Sequence, residues 1–178
     1  STWSTWEPKE GEFDFTHLHR VLKASQEAGL EVIIGTPTYA IPSWLANKYP
    51  DILCLTHQGQ ELYGRRQNMD ITHPKFLEYS ERIIRKLMEE SIQYPHVIGF
   101  QVDNETKHYD TSSLRVQKKF VEYLQNLYPD INEFNHEFGL NYWSNRVQDW
   151  SNFPDVRGTI NGSIASEFEH FQRNLVTN

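Results

Sequence analysis

The chain of 178 residues carries 17 Lys and Arg against 24 Asp and Glu, a formal charge of −7, with a pI near 5.6 and a mean hydropathy of −0.67. That length suits one compact domain or part of a larger one. The acidic balance offers no basic face for phosphates and argues against a nucleic-acid binder. No apolar run reaches the ~18 residues of a membrane span. Cys54 is the single cysteine, which excludes an internal disulfide framework and a cysteine-based zinc site and favours a reducing compartment. The 5 Trp, 9 Tyr and 10 Phe make 13% of the chain aromatic; in so polar a sequence this suggests half-buried rings lining surfaces, common where sugars bind but not diagnostic.

In chain order, residues 17–28 read as a helix: Thr16 is the expected N-cap, Leu18, Val21, Leu22 and Ala28 share a face, and Gly29 supplies the left-handed stop. The run Leu30 to Ile34, with Val32-Ile33-Ile34 at its centre, predicts a strand buried on both faces. Thr36-Pro37-Thr38 ends it, and Pro42-Ser43-Trp44-Leu45 starts a short helix. Residues 49–72 read as a loop longer than a connection needs, which favours a functional role. Pro74 opens a helix to about Ser91, with Phe76, Leu77, Ile83, Ile84, Leu87 and Met88 apolar. A second buried strand, Val97 to Val102, runs straight into Asp103-Asn104-Glu105. Helices follow from about Ser112 to Tyr128, with Leu114, Phe120, Val121, Leu124 and Leu127 as its core face, at 131–138 before Gly139, and from near Ile164.

Helices alternating with strands across short turns predict a parallel sheet covered by helices. Two clear strands, with residues 1–6 as the candidate for a third, leave both sheet edges open. The expectation is a segment of an α/β barrel, an inference supported by the abrupt Ser1-Thr2-Trp3 opening and a close at Leu175-Val176-Thr177-Asn178 inside a helix.

The chemistry concentrates at the end of the second strand. In parallel barrels the C-terminal strand ends face the active site. Glu105 follows apolar strand residues, a low-dielectric setting expected to raise a carboxylate toward a general acid's range. Asn104 offers a donor and an acceptor for a hydroxyl, and Asp103 reads as a structural cap. The competing reading is a polar pair opening an ordinary loop. One of Arg65-Arg66 is either solvated or reaches the site as a fork of donors. Trp143 is either packing or a platform for a sugar's C–H face; for Trp3, Trp6, Trp44 and Trp150 core packing is favoured. His136-Glu137 lacks the second His of a helical zinc site, and His17 and His19 cannot share a helical face. His108, near Glu105 in sequence, is either a supporting group or solvated. No metal and no cofactor are expected. Asn104-Glu105-Thr106 and Asn161-Gly162-Ser163 read as chance glycosylation triplets.

At Gln101-Val102-Asp103-Asn104-Glu105 the chain resembles the β-galactosidases of glycoside hydrolase family 42. The likeness also runs through Trp6-Glu7-Pro8, Gly11-Glu12-Phe13-Asp14-Phe15, Ala28-Gly29-Leu30-Glu31-Val32-Ile33, Thr36-Pro37-Thr38 and Pro42-Ser43-Trp44-Leu45-Ala46. Arg65-Arg66, His96-Val97-Ile98-Gly99-Phe100 and Tyr142-Trp143-Ser144 continue it over nearly the whole chain. The resemblance implies an α/β fold, a partial (β/α)8 TIM barrel holding roughly strands two to four, with residues 1–178 as one piece of a single catalytic domain. It implies a retaining enzyme acting on terminal β-D-galactosyl groups, with Glu105 as acid/base, Asn104 on the sugar's 2-hydroxyl, Arg65 on galactose and Trp143 lining the sugar subsite. A small β-galactoside substrate, a homo-oligomer (often a trimer) and a bacterial cytoplasmic setting come with it.

Two departures stand out. Met69 replaces the first cysteine of the family's zinc cluster and Thr106-Lys107-His108-Tyr109 carries none of the others, so the chain is similar to the zinc-free branch. A retaining glycosidase also needs a second carboxylate about 5–5.5 Å from the acid. In the family that nucleophile follows the seventh strand, expected beyond Asn178; Glu137, Asp149, Glu167 and Glu169 sit at no predicted strand end. The alternatives are a catalytically inactive galactoside-binding half-barrel and another barrel glycosidase of the β-mannanase or cellulase type.

Overall fold

The computed structural model describes residues 2–158 and 160–177. In chain order its elements are α1 (Trp3–Trp6), α2 (Thr16–Glu27), β1 (Val32–Gly35), α3 (Ser43–Lys48), β2 (Leu55–Thr56), β3 (Gly59–Gln60), α4 (Pro74–Ser91), β4 (Val97–Gln101), α5 (Leu114–Leu127), α6 (Ile131–Glu137) and α7 (Gly162–Thr177), with 3-10 turns at Pro50–Ile52 and Trp150–Asn152. The chain divides into two compact units: Ser1–Leu53 with Leu62–Lys107, and Cys54–Glu61 with His108–Asn178.

The first unit is built on β1 and β4, paired in parallel with Ile34 opposite Phe100 and Gly35 opposite Gln101. Helices α2 and α4 supply its core: Leu18, Leu22, Ile83 and Leu87 join Ile34, Trp3, Trp6, Leu45, Ile52 and Met69. Pro74 occupies the first turn of α4, and the His73 side chain accepts the Lys75 N–H at 3.1 Å as its cap. At the start of α2 the expected Thr16 cap is replaced: Thr16 is already helical, and the Asp14 carboxylate accepts its N–H at 2.9 Å.

Three expectations are corrected. Residues 3–6 form a helical turn, not a third strand, so the described residues hold two barrel-type strands rather than those of three. Trp3 and Trp6 are three apart and both buried, the spacing of a helix face and not of a strand. Nor are the strands buried on both faces: Ile34 is in the core, but Ile33 is 65% and Ile98 57% exposed, and Val102 beyond the strand 79%. The buried stripes of the helices are also narrower than their apolar patterns, because a helix packed on a core from one side buries only one line of its surface. Leu18 and Leu22, Phe76, Tyr79, Ile83 and Leu87, then Val116, Phe120 and Leu124 are inside, whereas Val21, Leu77, Met88, Leu114 and Leu127 stay exposed.

The second unit is helical apart from the β2–β3 hairpin, whose Leu55 carbonyl accepts both the N–H and the hydroxyl of Ser112 at 2.8 Å. Phe120 of α5 centres its core, edge-on to Phe168 of α7 at 5.0 Å and to Phe153 at 6.0 Å. Trp150 packs on Phe134 at 4.9 Å, the structural role expected for it.

Candidate active site

Beyond Gln101 the chain leaves the sheet under close control. Thr36, just past β1, donates its N–H to the Gln101 carbonyl at 2.9 Å and its hydroxyl to the Val102 carbonyl at 2.7 Å. The Asp103 carboxylate accepts the Asn104 N–H at 2.7 Å, the capping role read from its position. Asn104 is half-buried, with its side-chain oxygen 3.4 Å from the Gln101 amide. Glu105 has a left-handed backbone, φ +54°, a conformation that costs a non-glycine residue about 1–2 kcal/mol.

The Glu105 side chain is 58% exposed and paired with Arg66, whose Nη2 donates to Oε2 at 2.7 Å. Among the described residues the carboxylate therefore lies in solvent, beside an arginine, and not in the low-dielectric pocket expected from the apolar strand. An ion pair this exposed contributes at most about 1 kcal/mol to stability. It orients the carboxylate more than it holds the fold.

Arg66 comes from the loop predicted to be functional. That loop is closed across its base, Asn68 Nδ2 donating to the Leu62 carbonyl at 2.9 Å, while the Asp70 N–H reaches the Ile52 carbonyl at 2.8 Å. One of the two arginines meets Glu105. The hydrogen bond belongs to Arg66; Arg65 is exposed beside it. Gln67 is also left-handed, at φ +58°, and its amide touches the backbone of both Asn104 and Glu105. A side-chain amide bound to distant backbone leaves no periodic trace, so no sequence signal marks it.

Trp143 belongs to the second unit. It is 85% exposed on a left-handed backbone, φ +53°, followed by Ser144 at +59°. Tyr142, also exposed, stands edge-on to it at 5.7 Å. The loop is pinned at its foot: Arg146 donates to Asn141 at 2.5 Å and to Asn132 at 2.6 Å, and buried Asn135 exchanges hydrogen bonds of 2.8 Å with both the N–H and the carbonyl of Val147. The exposed indole is thus held out by a fixed frame. His108 bonds within its own turn, its Nδ1 accepting the Asp110 N–H at 3.1 Å.

Among the described residues no three His, Cys, Asp or Glu side chains come together as a metal site. No helix among them is long and apolar enough to cross a membrane.

Comparison with known proteins gives this geometry a family. The chain is 34% identical over 151 residues to the β-galactosidase BglY of Alicyclobacillus acidocaldarius, covering 84% of this chain and 22% of the relative. It is 27% identical to the β-galactosidase LacZ of Lactobacillus acidophilus, covering 93% of this chain and 25% of that protein. Among solved structures, Gan42B, a family 42 β-galactosidase from G. stearothermophilus, matches 97% of this chain with a TM-score of 0.80 at 29% identity, over 27% of its own length. The β-galactosidase of Bacillus circulans sp. alkalophilus matches 96% with a TM-score of 0.82 at 25% identity, over 26% of its length. The chain thus has an α/β fold matching family 42 structures over part of their length, and it spans about a quarter of the curated relatives it matches. The family model described as β-galactosidase, glycoside hydrolase family 42, matches residues 1–178, and the chain belongs to that family.

Proposed function

We propose that this chain forms the acid/base half of a retaining β-galactosidase site in a TIM-barrel domain. One observation carries the reading: an Asn-Glu pair at the C-terminal end of a parallel strand, its carboxylate exposed and met by an arginine, in a chain of this family. Glu105 gives its proton to the glycosidic oxygen as the bond from that oxygen to C1 breaks, and the oxygen leaves with the electron pair. A second carboxylate, from the part of the barrel this chain does not span, forms the new bond to C1. Glu105, now ionised, takes a proton from water, whose oxygen attacks C1 as the bond from C1 to the second carboxylate breaks; that carboxylate leaves with the electron pair and galactose is released. Asn104 holds the 2-hydroxyl and Arg65 binds the galactose ring's hydroxyls; the role of Trp143 as a platform for a sugar's C–H face rests on the family resemblance alone.

The test is hydrolysis of β-galactosides by the full-length protein and its Glu105→Gln variant. Loss of the general acid lowers turnover of substrates with poor leaving groups about 100- to 10,000-fold. A variant with undiminished turnover overturns the assignment of Glu105. Preference for mannan or glucan over galactosides overturns the substrate class.

A further inference from the structure

We infer that Gln67 is a positioning residue for Glu105, fixing the backbone conformation from which the acid/base projects; this rests on the reading of Glu105 given above. The backbone of Glu105 is strained. A glutamate at φ +54° persists only where its surroundings over-determine it. The two peptide planes flanking the Glu105 Cα decide its φ and ψ, and hence the direction of its Cα–Cβ bond. One carries the Asn104 carbonyl and the other the Glu105 carbonyl. Gln67 Nε2, with a hydrogen for each, donates to the Asn104 oxygen and lies 3.5 Å from the Glu105 oxygen. A single amide therefore spans both planes around one Cα.

The amide is itself anchored. The Gln67 N–H donates to the Tyr39 carbonyl at 2.7 Å, and the Asn68 and Asp70 contacts close the loop behind it. Arg66, one residue earlier, holds the Glu105 carboxylate from the same loop. Neighbouring residues of one loop thus secure the two ends of the acid: Gln67 its backbone, Arg66 its carboxylate. Gln67 touches neither the sugar nor the reacting atoms in this scheme; it acts through Glu105.

The experiment compares leaving groups in the full-length protein. A 2,4-dinitrophenyl β-galactoside departs without a proton, whereas phenyl β-galactoside needs one, and kcat/KM reports the step in which the glycosidic bond breaks. Gln67→Gly removes the amide and at the same time suits the left-handed backbone at residue 67, so the variant is not compromised in folding at that position. The expected result is a kcat/KM for phenyl β-galactoside lowered about 10- to 100-fold, with that for the dinitrophenyl substrate nearly unchanged. Gln67→Glu, which keeps the shape but presents an acceptor to two carbonyls, gives the same pattern. Equal losses for both substrates, or no loss for either, overturn the proposal and leave Glu105 in place. If Glu105→Gln hydrolyses phenyl β-galactoside as well as the parent, the reading of Glu105 fails and takes this proposal with it.

Discussion

Glu7 is fully buried, and its carboxylate is surrounded by donors: Trp3 Nε1 at 3.0 Å, the Gly11 N–H at 2.8 Å, and Arg82 of α4. The turn that delivers the Gly11 N–H runs through φ +78°, which glycine adopts without strain. The Arg82 guanidinium lies 4.4 Å from the centre of the Tyr79 ring, so it is fixed by stacking as well as by charge. Glu7→Gln places an amide NH2 among donors and strips Arg82 of its charge partner. The expected loss is about 2–4 kcal/mol in urea unfolding, moderated because Arg82 is itself a third exposed. A loss below about 0.5 kcal/mol, the scale of an ordinary surface change, refutes the arrangement. The Trp6-Glu7-Pro8 motif was legible only as a family marker. Its physical role lay hidden because Arg82 is 75 residues away in sequence.

At the scale of elements, the segment after the 3-10 turn at 150–152 is tied to α5 through Gln117. Its Nε2 donates to the Asp155 carboxylate at 3.1 Å and to the Ser112 carbonyl at 2.8 Å, and its Oε1 accepts the Val156 N–H at 3.3 Å. The Arg157 guanidinium beside Asp155 holds its carboxyl down to about 2, against an ordinary 3.8. A depressed carboxyl stabilises the fold fully above the unfolded value and loses that contribution as pH falls from about 3.8 through about 2. Asp155→Asn therefore lowers the urea midpoint at pH 6, and the gap to the parent closes as pH approaches 2; a gap independent of pH rules the linkage out. A second element-scale expectation concerns Asn135, which pairs with both polar groups of Val147 inside the core. Asn135→Leu leaves these groups unpartnered and costs about 2–4 kcal/mol, seen as a lowered Tm. The longer helices and the two parallel strands are legible in the sequence, because hydrophobic spacing is a local property; the helical turn at Trp3–Trp6 and the short β2–β3 hairpin are too brief to show a period. Asn135 and Gln117 are not legible either, since a polar residue inside an amphipathic helix looks solvated until the loop it holds is known.

At the scale of the whole molecule, β1 and β4 form a two-stranded parallel sheet, and neither has a second neighbour among the described residues. Helices cover one face; Ile33 and Ile98 look outward from the rest. Parallel sheets are stable when both faces are covered, and this family's solved structures extend well beyond the quarter of their length matched here. The apolar strand run, which predicts burial on both faces, thus agrees with the family barrel and conflicts only with the 178-residue chain. That conflict makes the effect of one substitution depend on context. Ile33→Ser in the 178-residue polypeptide removes exposed apolar surface, so dye binding by anilinonaphthalene sulfonate and concentration-dependent association should both fall. In the full-length protein the same change buries a hydroxyl and opens a cavity, and stability should drop by about 2–4 kcal/mol. Opposite signs in the two polypeptides mean the bare face is an interior surface of the barrel. A neutral effect in the full-length protein means that face meets solvent there too, and the barrel assignment of β1 fails.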